Sequence, residues 1–344
     1  MLFYSINLLS LQKKIEIMKI LVPFSGGKDS QATLIFAVEK YGKEKVTALF
    51  CDTKWEHEIT YKHIDYIVEE LGVEFISLVS KKYNGMVDLA LKKKRFPATK
   101  SKFCTVELKV IPMVDFVLSQ SEHLLILQGI RADESLGRSK MDVQCRFFKY
   151  YFEPYQTNSM IVDNLSKNIN LSLVLKNKLE KATQRLLLGK EDEKFHTYRK
   201  KEVLEWCGKY SDDIDRPFFK STADEVLSFS LNRNFDVNPL YFKGFSRVGC
   251  FPCIMCTQKE LDLIIKSFPE TIEKVQQAET ITGSTFFPPA KVPARYKSKV
   301  TETGKAYPVL NDVVRYRKDK NATRDLFEFD EEMNGCKSVY SICE

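Results

Sequence analysis

Ile20-Leu21-Val22-Pro23-Phe24-Ser25-Gly26-Gly27-Lys28-Asp29-Ser30 decides the reading of this chain. An apolar run ends in paired glycines, and Ala32-Thr33-Leu34-Ile35-Phe36-Ala37-Val38 continues with the character of a helix. A strand that turns through glycines into a helix is a phosphate cradle. Glycine lets the backbone approach an anion closely, and a helix N-terminus points free N–H groups and a partial positive charge at it. Lys28 adds a mobile positive charge, and Ser25 and Ser30 add hydroxyl donors. The spacing excludes a Walker A loop, which needs four residues between its first glycine and the Gly-Lys pair. The G-x-G-x-x-G of dinucleotide binders is also absent. The plainer reading, a glycine turn beside a solvated lysine, leaves two hydroxyls and an aspartate at the same junction unexplained.

Working outward, β-like runs at Val46–Cys51, Val73–Val79 and Leu124–Gly129 alternate with helical patterns. Residues 58–71 carry Ile59, His63, Tyr66, Ile67 and Leu71 at helical spacing and stop at Gly72. Residues 106–118 place Val106, Val110, Val114, Phe116 and Val117 in the same way, with a bend expected at Pro112. This alternation predicts an α/β fold, a doubly wound and mostly parallel sheet covered on both faces. Ligands of such sheets bind beyond the carboxyl ends of the strands. Three runs end there in suggestive residues: Gly26-Gly27, Asp52 and Gly129-Ile130-Arg131. Residues 155–200 turn rich in Asn, Ser, Lys and Leu and read as a helical insertion. Beyond residue 260, Pro288-Pro289, Pro293 and many charges predict a helical or extended arm with little core of its own. The expected organisation is an N-terminal extension (1–17), a nucleotide-binding domain (18–260) with its insertion at about 155–200, and a C-terminal arm (261–344).

Composition sets further bounds. At 344 residues with 44% hydrophobic content and 24 Phe, the chain supports a sizeable core and argues against global disorder. Its net charge of +7, from 53 basic and 46 acidic residues, suits a nucleotide or nucleic-acid partner but establishes neither. Lys92-Lys93-Lys94-Arg95 is the densest basic run and reads first as a solvated loop, second as a phosphate contact. The cysteines number nine, an odd count for a secreted framework, which favours a reducing, cytoplasmic compartment and a metal or redox role. No apolar run approaches the roughly 20 residues that span a bilayer, so no membrane partner is expected. The first ten residues are apolar but lack a basic leader and a small-residue cleavage site, which argues against a signal peptide. Met18-Lys19-Ile20 reads as a natural start, leaving residues 1–17 as a short helix or an upstream extension of the reading frame.

The second strong signal is Gly249-Cys250-Phe251-Pro252-Cys253-Ile254-Met255-Cys256. Two-residue spacings let three thiolates converge on one metal or cluster from a tight turn. A fourth ligand has to come from elsewhere, Cys104 first and then Cys343 or Cys336. Buried unliganded thiols are the plain alternative.

The hexapeptide Ser25–Ser30 resembles the pyrophosphate loop (PP-loop) of ATP pyrophosphatases, which cut ATP between the α- and β-phosphates and leave AMP on a substrate. Over roughly residues 19–260 the chain resembles the phosphoadenosine phosphosulfate reductase family of PP-loop proteins, with an adenine nucleotide alpha hydrolase-like fold. The resemblance rests on that loop, on Phe50-Cys51-Asp52-Thr53, and on Cys104-Thr105 followed by Leu108-Lys109. It continues through Gly129-Ile130-Arg131-Ala132-Asp133-Glu134-Ser135 with Arg138, Asn238-Pro239-Leu240-Tyr241 and Arg247-Val248-Gly249-Cys250. Iron–sulfur members hold a 4Fe-4S cluster with a Cys-Cys pair and a later Cys-x-x-Cys. Cys104, Cys250 and Cys253 match three of those ligands, whereas Thr105 stands where the second cysteine of the pair belongs. Cys256 is the inferred replacement, and zinc the alternative metal.

Sulfonucleotide reductases of this family need no ATP, often have a degraded loop, and carry their nucleophile in a C-terminal Glu-Cys-Gly-Leu-His. Here the loop is intact and the terminus reads Ser341-Ile342-Cys343-Glu344. The chain is therefore more similar to ATP-using relatives such as the DNA phosphorothioation sulfur-transfer component. ATP sulfurylase small subunits fit less well, since they lack the cysteine cluster. The resemblance implies that Ser25, Gly26, Gly27, Lys28, Asp29 and Ser30 bind the phosphates of ATP with Mg²⁺, and that Asp52 and Gly129–Arg131 flank the adenosine. It implies that Arg131 and Arg138 neutralise charge developing on pyrophosphate. A sulfur nucleophile, supplied by a donor protein such as a cysteine desulfurase, then displaces AMP from an acceptor, either nucleic acid or small molecule. Two rivals stand beside this expectation. One is a sulfonucleotide reductase with Cys343 as nucleophile and thioredoxin as partner; the other is a non-catalytic nucleotide-sensing subunit.

Overall fold

Ile20 and Val22 pack on one face of a central sheet and Leu21 on the other, and all three are wholly buried. Burial on both faces is why the central strands are continuous apolar runs and not alternating ones. The computed structural model describes residues 18–99, 101–288, 292–300 and 304–327. The extension 1–17, Cys336 and Cys343 lie outside the described residues.

Strand β1 (Lys19–Pro23) leads through the glycines into α1 (Lys28–Tyr41), followed by β2 (Val46–Cys51), α2 (Glu58–Leu71), β3 (Glu74–Leu78) and α3 (Met86–Lys92). A helical run over residues 103–119, α4, has a π-turn at Val106–Val110. Next come β4 (Leu124–Leu127), β5 (Gln144–Arg146), α5 (Lys149–Phe152), α6 (Asn158–Ser166) and α7 (Leu173–Leu187). Helix α8 (Lys200–Cys207), β6 (Asp212–Asp215) and α9 (Ala223–Leu231) return the chain to the sheet. The C-terminal part holds α10 (Gln258–Ser267), α11 (Pro269–Thr282), the short pair β7 (Lys299–Val300) and β8 (Ala306–Tyr307), and α12 (Leu310–Phe327).

The six strands run in the order β3-β2-β1-β4-β6-β5, all parallel but β5. Helices α1 and α2 bury Leu34, Ile35, Ile64 and Ile67 against one face. On the other face α4 and α8 bury Val114, Val117, Val203 and Trp206. The fold is thus the doubly wound sheet that the alternation predicts. The chain winds outward from β1 through β2 to β3, then restarts on the far side at β4. The crevice at that reversal lies beyond the carboxyl ends of β1 and β4, where open α/β sheets take their ligands.

Three local features differ from the expectation. The α4 run continues through Pro112, which sits at the start of the regular segment Ile111–Ser119, where its missing N–H has little to break. Strand β6 has three aspartates in four residues and no apolar run to announce it. It holds because Ile214 enters the core and the buried Asp212 carboxylate accepts the Phe148 N–H at 2.7 Å. The C-terminal stretch, expected as an arm with little core of its own, shares a core with the preceding domain. Val275, Ala278, Phe286, Phe287, Leu310 and Val313 bury themselves with Trp55, Leu89 and Phe96. The Glu279 carboxylate accepts the N–H groups of Phe286 and Leu310 at 2.7 and 2.8 Å, tying the segments after α11 together.

Candidate functional site

The turn between β1 and α1 takes its shape from Gly26, whose φ of +72° lies in the region that glycine tolerates and larger residues resist. A Cβ there would meet Ile64 and Thr60 of α2 at 3.0 and 3.1 Å. The Gly26 carbonyl is held by Asn238 Nδ2 at 3.2 Å, and Asn238 also donates to Thr60 Oγ1 at 3.3 Å. Ser30 Oγ donates to the Gly27 carbonyl at 2.9 Å and accepts the Ser25 N–H at 3.2 Å, closing the loop on itself. Gly27 caps α1 without a side-chain acceptor. The first N–H groups of a helix have no partner inside it. One of them, on Lys28, donates to the Tyr241 hydroxyl at 3.1 Å. Lys28 is only 6% exposed, its Nζ 5.1 Å from the centre of the Tyr241 ring and ion-paired with Asp29 Oδ2 at 3.5 Å. Burial lowers its pKa, with Asp29 pulling the other way. A buried amine beside free helix N–H groups is a site that favours an arriving anion.

The turn after β4 packs directly on this loop. A Cβ on Gly129 would stand 2.6 Å from the Asp29 carbonyl carbon and oxygen and from the Ser30 nitrogen. Two residues on, Arg131 is 4% exposed, its Nε donating to Asp29 Oδ1 and its Nη1 to Asp133 Oδ1, both at 2.5 Å. Arg138 pairs with Glu134 and is partly exposed. Burial lowers the Arg138 pKa, and the neighbouring charges of Arg247 and Arg131 lower it further. Lys28, Arg131, Arg138 and Arg247 therefore form one cationic group around the loop, with Arg131 already engaged by two carboxylates.

Asp52 follows β2 and faces a cavity of about 510 Å³. Its Oδ1 accepts the Lys54 N–H at 2.8 Å and the Tyr61 hydroxyl at 2.7 Å, while Oδ2 pairs with Lys54 Nζ at 2.7 Å. Burial works to raise its pKa, but the hydrogen bonds from Lys54 and Tyr61 outweigh it and hold the carboxyl below its ordinary range.

Cys250 and Cys253, on the loop before α10, and Cys104, on the first turn of α4, all pack against the cluster around Trp55, and Cys256 is buried in it. Cys250 Sγ lies 3.5 Å from Thr53 Oγ1 and 3.6 Å from Glu56 Oε1. Burial pushes its thiol up to about 11, against the pull of Lys109. Burial also raises the Cys104 thiol, and the nearby Cys253 adds to it. The Lys109 amine is raised in turn, chiefly by Cys250. All described cysteines are free thiols. As a donor set, Cys104, Cys250 and Cys253 offer soft thiolate ligands from two segments that pack on the same cluster, a donor type that suits zinc or an iron–sulfur cluster. Among the described residues, no three metal-binding side chains are drawn together on one point.

The structure thus brings Ser25–Ser30, Gly129, Arg131 and Arg138 to one mouth, puts Asp52 at the next strand end, and packs the four cysteines in or against the cluster that contains Trp55 without drawing three of them to one point. Tyr241, Asn238, Arg247 and Lys109 were quoted above only as parts of short motifs. Their places against the loop and the thiols come from contacts across as many as 213 residues of chain.

A family model for the phosphoadenosine phosphosulfate reductase domain matches residues 19–256. The chain is 26% identical, over 94% of its length, to an uncharacterized 37.8 kDa protein of Escherichia phage 186, spanning 96% of that protein. It is also 26% identical, over 74% of its length, to an uncharacterized protein of Methanocaldococcus jannaschii, of which it spans only 40%. Among solved structures, a phosphoadenylyl-sulfate reductase from Candida auris in a phosphate complex aligns with TM-score 0.40 and 12% identity, over 71% of this chain and 87% of that one. A U34-tRNA thiolase from Methanococcus maripaludis with its 4Fe-4S cluster aligns with TM-score 0.37 and 15% identity, over 94% of this chain and 77% of that one.

Proposed function

The chain belongs to the phosphoadenosine phosphosulfate reductase domain family, and from that membership we propose that it is a PP-loop ATP pyrophosphatase that adenylates a substrate for sulfur transfer. The observation that carries this reading is the intact loop with a buried Lys28 at the start of α1. A reductase acting on an already activated sulfonucleotide has no β,γ-pyrophosphate for such a loop to hold.

The residues divide the work. The α1 N–H groups, Ser25 and Ser30 bind the phosphates, and Mg²⁺ arrives as part of the nucleotide substrate. The Lys28 charge acts in a water-poor setting, where it counts for more than in bulk. Arg138 and Arg247 face the charge that grows on the leaving pyrophosphate. Arg131 holds Asp29 in place. An acceptor oxygen attacks the α-phosphorus, the bond to the bridging oxygen of the β-phosphate breaks, and pyrophosphate leaves. The AMP ester so formed makes that oxygen a leaving group for a sulfur nucleophile. Cys104, Cys250 and Cys253, with Cys256 as fourth donor, would hold a 4Fe-4S cluster or a zinc ion. Held by only three of these thiolates, a cluster would offer one iron open to a sulfur ligand; held by all four it would, like zinc, fix the fold alone.

The test is ATP binding by calorimetry together with pyrophosphate release. Lys28→Ala is expected to lower release by at least about a hundredfold with the circular dichroism spectrum unchanged. Release unaffected by that change, or sulfite release from adenylyl sulfate with thioredoxin and no ATP consumption, would overturn the proposal.

A further inference from the structure

The basic run at residues 92–95 forms a turn with a cavity on either side. Lys94 N–H donates to the Leu91 carbonyl and Arg95 N–H to the Ala90 carbonyl, each at 3.0 Å. This closure of α3 puts Lys94 at φ +56°, a position that helix ends usually give to glycine. On one side lies the cavity of about 510 Å³ that opens at Asp52, with Lys54, Lys81, Lys82 and Lys92 on its wall. On the other lies a cavity of about 490 Å³ bearing Lys94, Arg95, Lys299, Phe286 and Tyr307. Seven cationic side chains and two carboxylates line the two cavities. Lys54 and Lys92 are paired with those carboxylates, and Lys81 with Asp115. Lys82 and Lys94 form no ion pair among the described residues, while Lys299 Nζ donates to the Gly283 carbonyl and its charge acts on Glu279. Lys54 also has a positive φ, +55°, so two of the four described non-glycine residues with left-handed backbone are lysines on these walls.

Two cavities separated by one cationic ridge suit an extended ligand that alternates negative charge with flat, partly apolar groups. We propose that single-stranded nucleic acid crosses the turn at 92–95, its phosphates on Lys94 and Arg95 and its bases in the cavities on either side. Cationic grooves that track the backbone bind single strands in this way; here the partly exposed Tyr307 offers a ring to a base, whereas Phe286 belongs to the core. The strand reaches the sheet at Asp52, next to the ATP site, and so would present the acceptor. That last step rests on the adenylation reading; the binding itself does not.

The full chain is titrated into fluorescein-labelled 20-mers of oligouridylate and oligodeoxythymidylate, with anisotropy read across a salt series, and ATP affinity is measured in parallel. In Lys94→Gly the affinity is expected to fall about five- to tenfold, and the log–log salt slope by about 0.7 for the lost phosphate contact. Glycine suits the left-handed position, so the melting temperature should hold or rise. Lys299→Gln should weaken binding from the other cavity, and neither change should alter ATP affinity. Tighter binding of the uridylate identifies RNA as the source of the phosphodiester, and equal or tighter binding of the thymidylate identifies DNA. ATP binding without oligonucleotide binding would overturn the strand proposal and leave the ATP reading standing. Lys94-dependent oligonucleotide binding in a chain that binds no ATP would uphold it and remove that reading. An unchanged salt slope in both variants, or preference for phosphatidylserine vesicles over both oligomers, would overturn it.

Discussion

Gly129→Ala isolates the packing of the β4 turn on the phosphate loop from the chemistry of either. The added methyl group would sit 2.6 Å from the carbonyl carbon and oxygen of Asp29 and from the Ser30 nitrogen. All three are backbone atoms at the start of α1, so no flexible side chain can swing aside. Ordinary contact begins at about 3.4 Å, so the β4 turn and α1 must part by about 0.8 Å. Overpacking of this kind costs about 1–3 kcal/mol. The displacement falls on the loop and on Arg131, and a misplacement of about 1 Å at a reacting centre can cost about a hundredfold in rate. The expected result is a modest fall in melting temperature with a far larger loss of nucleotide affinity and pyrophosphate release. Gly26→Ala is the contrasting case, since it strains the loop's own backbone. There the strain lies in φ, and the nearest atoms are side-chain atoms of Ile64 and Thr60 at 3.0 and 3.1 Å, which can yield. A Gly129→Ala protein with wild-type stability and wild-type ATP affinity would refute the claim that this close approach builds the site.

Two further outcomes are expected. His63, held 2.8 Å from Gln31 Oε1 behind the loop helix, has its pKa pushed down to about 4 by burial, with Asp236 opposing. The unfolded chain protonates this imidazole near pH 6.5, so its share of stability is whole above that pH and is lost as the pH falls toward 4, in total about 3 kcal/mol. Urea unfolding from pH 7 to pH 4 should show a flatter profile in His63→Asn; identical profiles would refute the assignment. Anaerobically purified protein is expected to carry iron and acid-labile sulfide that Cys250→Ser removes. Stoichiometric zinc would replace the cluster with a structural site, and neither metal after reconstitution would leave only free thiols.

The legible parts of this fold are those whose cause is local. Val46–Cys51 and Leu124–Leu127 are apolar throughout because a parallel strand is buried on both faces, and residues 58–71 repeat with a helical period up to Gly72. The phosphate loop was legible because its donors lie within six consecutive residues. Strand β6 was not, since Asp212–Asp215 contributes one apolar side chain and its most buried carboxylate is satisfied by Phe148, 64 residues away. The C-terminal core was hidden for a related reason. Phe286, Phe287, Leu310 and Val313 follow no common period and find their partners in Trp55 and Phe96. Tyr241 and Asn238 reach the loop only through the tertiary fold, so local pattern could mark them as notable without giving them a place.

Arg131 shows how the site's charge is arranged before any ligand arrives. Read from sequence, it joins Arg138 as a cation for the leaving pyrophosphate. In the fold it is 4% exposed and donates to both Asp29 and Asp133. Its charge is matched within the protein, and its geometric effect is to hold the Asp29 carboxylate to the side of the β4 turn. Asp29 would otherwise be free to close on Lys28, its neighbour in sequence, from which its second oxygen stands 3.5 Å away. An amine fully paired with its own aspartate would have little to offer a phosphate, because the incoming anion would first have to displace a carboxylate. Arg131 and Lys28 share the Asp29 carboxylate, one on each oxygen, so the buried Lys28 amine does not have that charge to itself when a phosphate oxygen arrives. Beside the pyrophosphate contact expected from the sequence, Arg131 thus has a structural partner in Asp29, and through it a link to Lys28.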